Sequence, residues 1–177
     1  MKRKTEEIEI EVLLDTQEME IDTGDEILDH ILKTMFFYME KNVIVKANWD
    51  LRHHLWEDIG ITIGKAIKES IKEKNIGRFG NGIIPMDDAL ILVSVDISRS
   101  YLCLDLDYSY DEEGFQFSLV EELLNGIIRN LPATIHIKQL SGKNKHHIIE
   151  AGFKGLGVAF KSALKETERI ESTKGSI

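Results

Sequence analysis

Two copies of one short motif carry most of the chemistry available to this chain. His53-His54-x-x-Glu57 and His146-His147-x-x-Glu150 start 93 residues apart, and together with His30 they hold five of the six histidines. Imidazole and carboxylate donors in combination suit Mn, Fe, Zn and related divalent ions. On a helix, the first histidine and the glutamate of each motif stand at i and i+4 and share a face. The second histidine points about 100° away. Each helix start therefore offers ligands in two directions, which favours paired metal sites, or sites shared between subunits, over one closed tetrahedral site. A lone histidine on a helix is commonly just a satisfied polar group, but two motifs at matching positions point to metal binding. His136, in the strand-like TIHIK, has no ligand counterpart and reads as structural.

The motifs belong to a longer internal repeat. HHLWEDIGITIGKAIKES at 53–70 lies over HHIIEAGFKGLGVAFKSA at 146–163, pairing Glu57 with Glu150, Gly64 with Gly157 and Lys68 with Lys161. Upstream, at an offset of 92, ILDHIL (27–32) lies over LVEELL (119–124), which sets Glu122 opposite His30. A half-length repeat implies two similar units, each unable to cover its apolar face alone. The expected division is about 1–85 and 86–177 within one compact domain, with no Pro- or Ser-rich linker between the halves.

Each unit reads as strand, helix, strand, helix. Asp25 is a candidate N-cap for a helix over 26–40, with Ile27, Ile31, Met35 and Met39 at helical spacing. VIVKANW (43–49) is a strand by its β-branched content, and the segment from His53 is a second helix with Ile59, Ile63 and Ile67 four apart. NIGRFGNG reads as a turn-rich loop, and ALILVSVDIS and SYLCLDLDYSY as strands that pair with each other. The predicted architecture is α+β, duplicated βα units with small, antiparallel-rich sheets packed on helices.

Composition narrows the partners. The chain has 177 residues, 42% hydrophobic and 30% charged, as in an ordinary globular domain. A net charge of −9 argues against nucleic acid, which needs a basic face, but leaves room for a small anion held by local cations. No apolar run is long enough for a membrane span, and the charged, alternating MKRKTEEIEIEV does not read as a secretory signal; a cytoplasmic location is expected. The single cysteine, Cys103, excludes a thiolate-built zinc site and reads as a small core residue. MDD at 86–88 is either a solvated turn or a carboxylate pair that orients a histidine or arginine.

LDHIL, HHLWED, GRFG, PMDDAL, VDIS, TIHIKQLSGKNKHHIIEAGFK and the closing STKG, in this order, resemble the imidazoleglycerol-phosphate dehydratase family over nearly the whole chain. The resemblance implies a duplicated βα fold, also known from the second domain of a small-subunit ribosomal protein. It implies assembly into a 24-subunit homo-oligomer with paired Mn2+ sites at subunit contacts, and dehydration of imidazole glycerol phosphate in histidine biosynthesis. Carried over by position, His30, His53, His54, Glu57, His146, His147 and Glu150 match metal ligands. Glu7 matches a proton-transferring glutamate, a role Glu150 could share. Arg78, Arg99, Ser172 and Lys174 match residues that hold the substrate phosphate. The family pattern has a histidine ligand where this chain has Glu122, a carboxylate that Mn2+ also accepts. Tyr38 and Thr34 replace a histidine and a substrate-contacting glutamine, and Arg99 follows Ser98 without the usual glycine. Two other readings stay open at this stage: a different metal-dependent lyase on the same scaffold, and a non-catalytic metal-binding assembly protein.

Overall fold

The computed structural model describes residues 1–72, 74–107 and 114–173. Its first half runs β1 (Lys2–Lys4), β2 (Ile8–Leu14), β3 (Glu20–Asp22), α1 (Glu26–Met39), β4 (Val43–Trp49) and α2 (Arg52–Ser70). The second half repeats that order as β5 (Phe79–Met86), β6 (Ala89–Ile97), β7 (Tyr101–Asp105), α3 (Phe117–Asn130), β8 (Ala133–Ser141) and α4 (Lys145–Ala163). The strand orders match as well, β1-β2-β4-β3 in one sheet and β5-β6-β8-β7 in the other. In each sheet the first three neighbours are antiparallel, and the last pair, β3 with β4 or β7 with β8, is parallel. A parallel pair needs a crossover, and α1 and α3 supply it.

Each sheet turns one face inward. Ile8, Ile10, Val12, Val43 and Val45 bury that face in the first sheet, and Ile91, Val93, Val95, Ile135 and Ile137 in the second. The alternation is the period-2 pattern of half-buried strands. Against these faces pack the helices, α2 on β2 and β4, and α4 on β5 and β6. The two units meet helix to helix, α1 against α4 and α2 against α3. The core runs continuously through all four helices, with Trp56, Phe36, Phe153 and Phe160 among its largest fully buried side chains.

Three sequence expectations change. β7, the described strand of SYLCLDLDYSY, does not pair with β6: β8 lies between them, because the crossover through α3 places β7 beside β8. The second half of the glycine-rich loop, from Phe79, belongs to strand β5. Its glycine reflects close packing rather than a turn: a Cβ on Gly80 would lie 1.8 Å from the Ala159 carbonyl oxygen of α4. Cys103 is half-buried and sits opposite exposed His136 on the outward face, since the alternation turns Leu102 and Leu104 inward instead.

The helix pairs cross at equivalent points. A Cβ on Gly64 would stand 2.5 Å from the Ile127 carbonyl oxygen, and one on Gly157 2.4 Å from that of Met35. These are the same contact in the two repeats, since Met35 and Ile127 also correspond at the offset of 92. Gly157→Ala is expected to destabilise the protein by about 1–3 kcal/mol through overpacking. Gly152→Ala is the control: its added methyl would meet Ile137 at 3.8 Å, ordinary contact, and a helix interior gains up to about 1 kcal/mol from Gly→Ala. Denaturant unfolding of both variants checks this, and equal stability for the two would contradict the crossing argument.

Candidate metal centre

The crossing of each helix pair brings one ligand face together. On α4, His146, Glu150 and Gly157 share a face at spacings of four and seven, and α2 repeats it with His53, Glu57 and Gly64. With the backbones held close at the glycines, α1 lays His30 beside the α4 motif. His30 Nε2 lies 2.8 Å and His146 Nε2 3.0 Å from the same oxygen, Oε2 of Glu150. On the other side α3 lays Glu122 beside the α2 motif. His53, Glu57 and Glu122 bring one ligand atom each to within 4.8 Å of one another, as do His30, His146 and Glu150. Eight residues that the motifs and the repeat single out thus include two triads related by the internal symmetry, and Glu122 stands in the second at the position that His30 holds in the first.

The helix starts are held in place by capping groups. Asp25 caps α1 by accepting from the Ile27 and Leu28 backbone N–H groups, while its carboxylate also accepts from Arg52 Nε at 2.6 Å and Trp56 Nε1 at 2.9 Å. One carboxylate therefore ties the first turn of α1, which leads to His30, to the first turn of α2, which carries His53. Burial pushes the Asp25 carboxyl up, but the bonds from Arg52, Trp56 and Leu28 outweigh it and hold it below its usual range. Asn144 caps α4 by accepting from the His147 N–H at 3.0 Å.

The second histidine of each motif points elsewhere, as the helical angle requires. His54 Nδ1 lies 2.9 Å from Asp50 and 3.8 Å from Glu7, and His147 Nδ1 lies 2.8 Å from Asp88. A carboxylate on Nδ1 fixes the ring and its tautomer so that Nε2 can act as a ligand. The acidic turn at 86–88 thus orients a histidine. Asp88 also accepts from the Lys143 and Asn144 N–H groups, and these bonds, with that of His147 the largest, depress its carboxyl. The Asp50 bond raises the His54 imidazole above its ordinary value.

Two neighbours of the first triad escape a reading of the sequence. Lys154, one turn beyond Glu150, places Nζ 2.9 Å from Oε1, and Phe115 stacks on His146 with ring centroids 4.7 Å apart. The i,i+4 spacing of Glu150 and Lys154 is a usable signal, whereas nothing in the sequence marks Phe115. Burial raises the Glu150 carboxyl, but Lys154, His30 and His146 together hold it down at about 2. The carboxylate is therefore ionised and able to bind a cation.

The residues expected to hold phosphate lie elsewhere. Arg78, immediately before β5, has a positive φ of 66° and makes a bidentate pair with Asp96, at 2.7 and 3.2 Å. It also donates to the Glu171 carbonyl, next to Ser172, and the exposed Arg99 acts on the same Asp96. Arg78, Arg99 and the Ser172 segment are thus gathered around Asp96; Lys174 lies outside the described residues. This group sits at the far end of α4: the Arg78 N–H bonds the Ala163 carbonyl, about 25 Å along the helix from His146 at 1.5 Å per residue. A cavity of about 570 Å3 opens at the matching end of α2, lined by Lys68, Lys72, Ile97, Ser98, Leu131 and Ile170.

Comparison with known proteins identifies the family of the chain. The family model Imidazoleglycerol-phosphate dehydratase matches residues 23–160. The chain belongs to the imidazoleglycerol-phosphate dehydratase family. The curated imidazoleglycerol-phosphate dehydratase of Pyrococcus furiosus is 57% identical over 99% of both chains, and that of Desulforudis audaxviator 43% identical over 100% of this chain and 96% of its own. A crystal structure of the Pyrococcus furiosus protein superposes with a TM-score of 0.95 at 56% identity, covering 100% of both chains. That of the Staphylococcus aureus dehydratase gives 0.82 at 36% identity, covering 94% and 98%. The α+β, internally duplicated fold expected of the family is the one observed.

The depressed Glu150 carboxyl makes a pH prediction for the metal-free protein. Its stabilising contribution is fully present above the ordinary value of 4.5 and is lost as pH falls toward about 2. Glu150→Gln is expected to remove up to about 3 kcal/mol of pH dependence in that window. Urea midpoints measured from neutral pH downward test this, and parallel curves for the two proteins would contradict it.

Proposed function

We propose that this chain dehydrates imidazole glycerol phosphate to imidazole acetol phosphate in histidine biosynthesis, as a divalent-metal enzyme assembled from several copies of itself. The observation that carries the reading is the pair of symmetry-related His/Glu triads in a chain of this family. The donor chemistry fits Mn2+, one imidazole or two with carboxylate oxygen and no thiolate. Among other divalent ions, those that accept the same donors could substitute. His30, His146 and Glu150 would hold one ion, and His53, Glu57 and Glu122 the other. Three donors leave coordination positions open, and His54 and His147, turned away from their own triads, are suited to complete those of neighbouring copies.

Self-association follows from the separation of functions along α4. A substrate with a three-carbon chain cannot reach from a triad to Arg78 and Arg99 about 25 Å away. One chain therefore supplies the phosphate end and another the triads. The 24-subunit count rests on the family resemblance alone. A cytoplasmic location accords with a biosynthetic enzyme, and no described helix is long and apolar enough to cross a membrane.

The reaction removes a hydrogen from one carbon and hydroxide from its neighbour, and the resulting enol becomes the ketone. Neither step is easy, because that hydrogen is not acidic and hydroxide leaves poorly. A bound divalent cation supplies Lewis acidity toward the imidazole ring and the hydroxyl oxygens. Glu7, beside His54 and Asp50 and open to solvent, is placed to move the proton; Glu150 is the second candidate. Arg78, with Arg99, Ser172 and Lys174, holds the phosphate as a guanidinium fork and point charges do. Asp96 keeps Arg78 aimed in the meantime.

The test is turnover of imidazole glycerol phosphate with Mn2+, before and after chelation. Activity is expected to vanish on chelation and return with metal. Glu7→Gln is expected to cost roughly 10²- to 10⁴-fold in kcat with bound metal unchanged. Full activity in the chelated protein would overturn the metal-dependent reading, and full activity in Glu7→Gln would remove that residue from proton transfer. Chelation is also expected to shift the particle to smaller species, and an unchanged size would reject metal-bridged assembly.

A further inference from the structure

The internal repeat provides a built-in control, because it sets two triads in the same backbone frame with different donors. In the α1–α4 triad, two imidazoles, His30 and His146, accompany one carboxylate, Glu150. That carboxylate has its second oxygen engaged by Lys154 at 2.9 Å, so one positive charge stands against its single negative one. In the α2–α3 triad one imidazole, His53, accompanies two carboxylates, Glu57 and Glu122. The position equivalent to Lys154 there is Ile61, which brings no charge. Formal charge is thus balanced at the first triad and minus two at the second.

We infer that the two triads are unequal metal sites, and that Glu122 makes the α2–α3 triad select hard, oxygen-preferring divalent cations such as Mn2+. The α1–α4 triad keeps the nitrogen preference of a two-imidazole site. This inference rests on the reading of the triads as metal sites and adds which ion each prefers. Imidazole donors favour Zn2+ and Ni2+ over Mn2+, while carboxylate oxygens suit Mn2+ and Mg2+. Charge adds affinity at the second triad without choosing among dications. Two carboxylates attract any dication, whereas Lys154 repels one beside Glu150 and leaves a single Glu150 oxygen free. Lys154 is a positioning residue in this account: it orients Glu150 and lowers the charge that an incoming ion meets.

The experiment follows metal content rather than turnover. The assembled protein is stripped, loaded with Mn2+, and titrated with Zn2+, with released Mn2+ followed by electron paramagnetic resonance and bound metal by mass spectrometry. The wild-type protein is expected to lose Mn2+ in two phases of equal size, separated by roughly tenfold or more in Zn2+, since even outer-shell changes alter metal affinity by about 10–100-fold. Glu122→His is expected to merge the phases by making the second triad give up Mn2+ as readily as the first. Glu122→Gln, which keeps the shape and removes one charge, is expected to weaken Mn2+ at that phase alone. Circular dichroism confirms that each variant is folded. A single phase in the wild type, or two phases unmoved by Glu122→His, would overturn the inference while leaving two metal sites standing. Mn2+ binding unaffected by His53→Ala and by His146→Ala would instead overturn the metal reading beneath it.

Discussion

The two His/Glu triads depend on how closely two pairs of helices cross. At Gly64 against Ile127, and at Gly157 against Met35, a single methyl group would collide with a backbone carbonyl. Only that closeness lets side chains two to three turns away meet across the pair. His30 then reaches the Glu150 that His146 also touches, and Glu122 reaches His53 and Glu57. Gly60 and Gly126 tighten the α2–α3 pair further, each packing against backbone of the other helix. The sheets matter to chemistry mainly as the outer layers that press these helices together.

Duplication accounts for the doubling of the triad, and divergence for the difference in its donors. Each unit contributes one HHxxE helix start and one partner helix from the other side of the repeat's arrangement. The partner residue is a histidine at 30 and a carboxylate at 122. The second histidine of each motif is held by a carboxylate from a different place, Asp50 one turn earlier in the first unit and Asp88 from the β5–β6 turn in the second. The same outcome, a ring held at Nδ1 by a carboxylate, has two structural solutions.

What was readable in the sequence had local causes. The N-cap Asp25, the helical spacing through Met39, the β-branched VIVKANW and the repeat all act over short range or by simple period. Glu122 was readable because the repeat itself points to its position opposite His30. Other features are decided by distant contacts. Gly80 looks like a turn residue but marks the approach of α4 to a strand, and β7 joins β8 because α3 carries the chain across. Phe115 on His146 needs a contact between segments 31 residues apart. The distance between Arg78 and the His146 triad is invisible until α4 is laid out at full length.

Under the proposed function, helix crossing would build two divalent-cation sites, each finished by a histidine from another copy. Crystals of the Mn2+-loaded protein, measured near the manganese absorption edge, test it most directly. Two anomalous peaks per chain are expected, one among His30, His146 and Glu150 and one among His53, Glu57 and Glu122, each also contacted by His54 or His147 of a neighbour. Peaks lying away from both triads, or triads left without an ion at full loading, would contradict it.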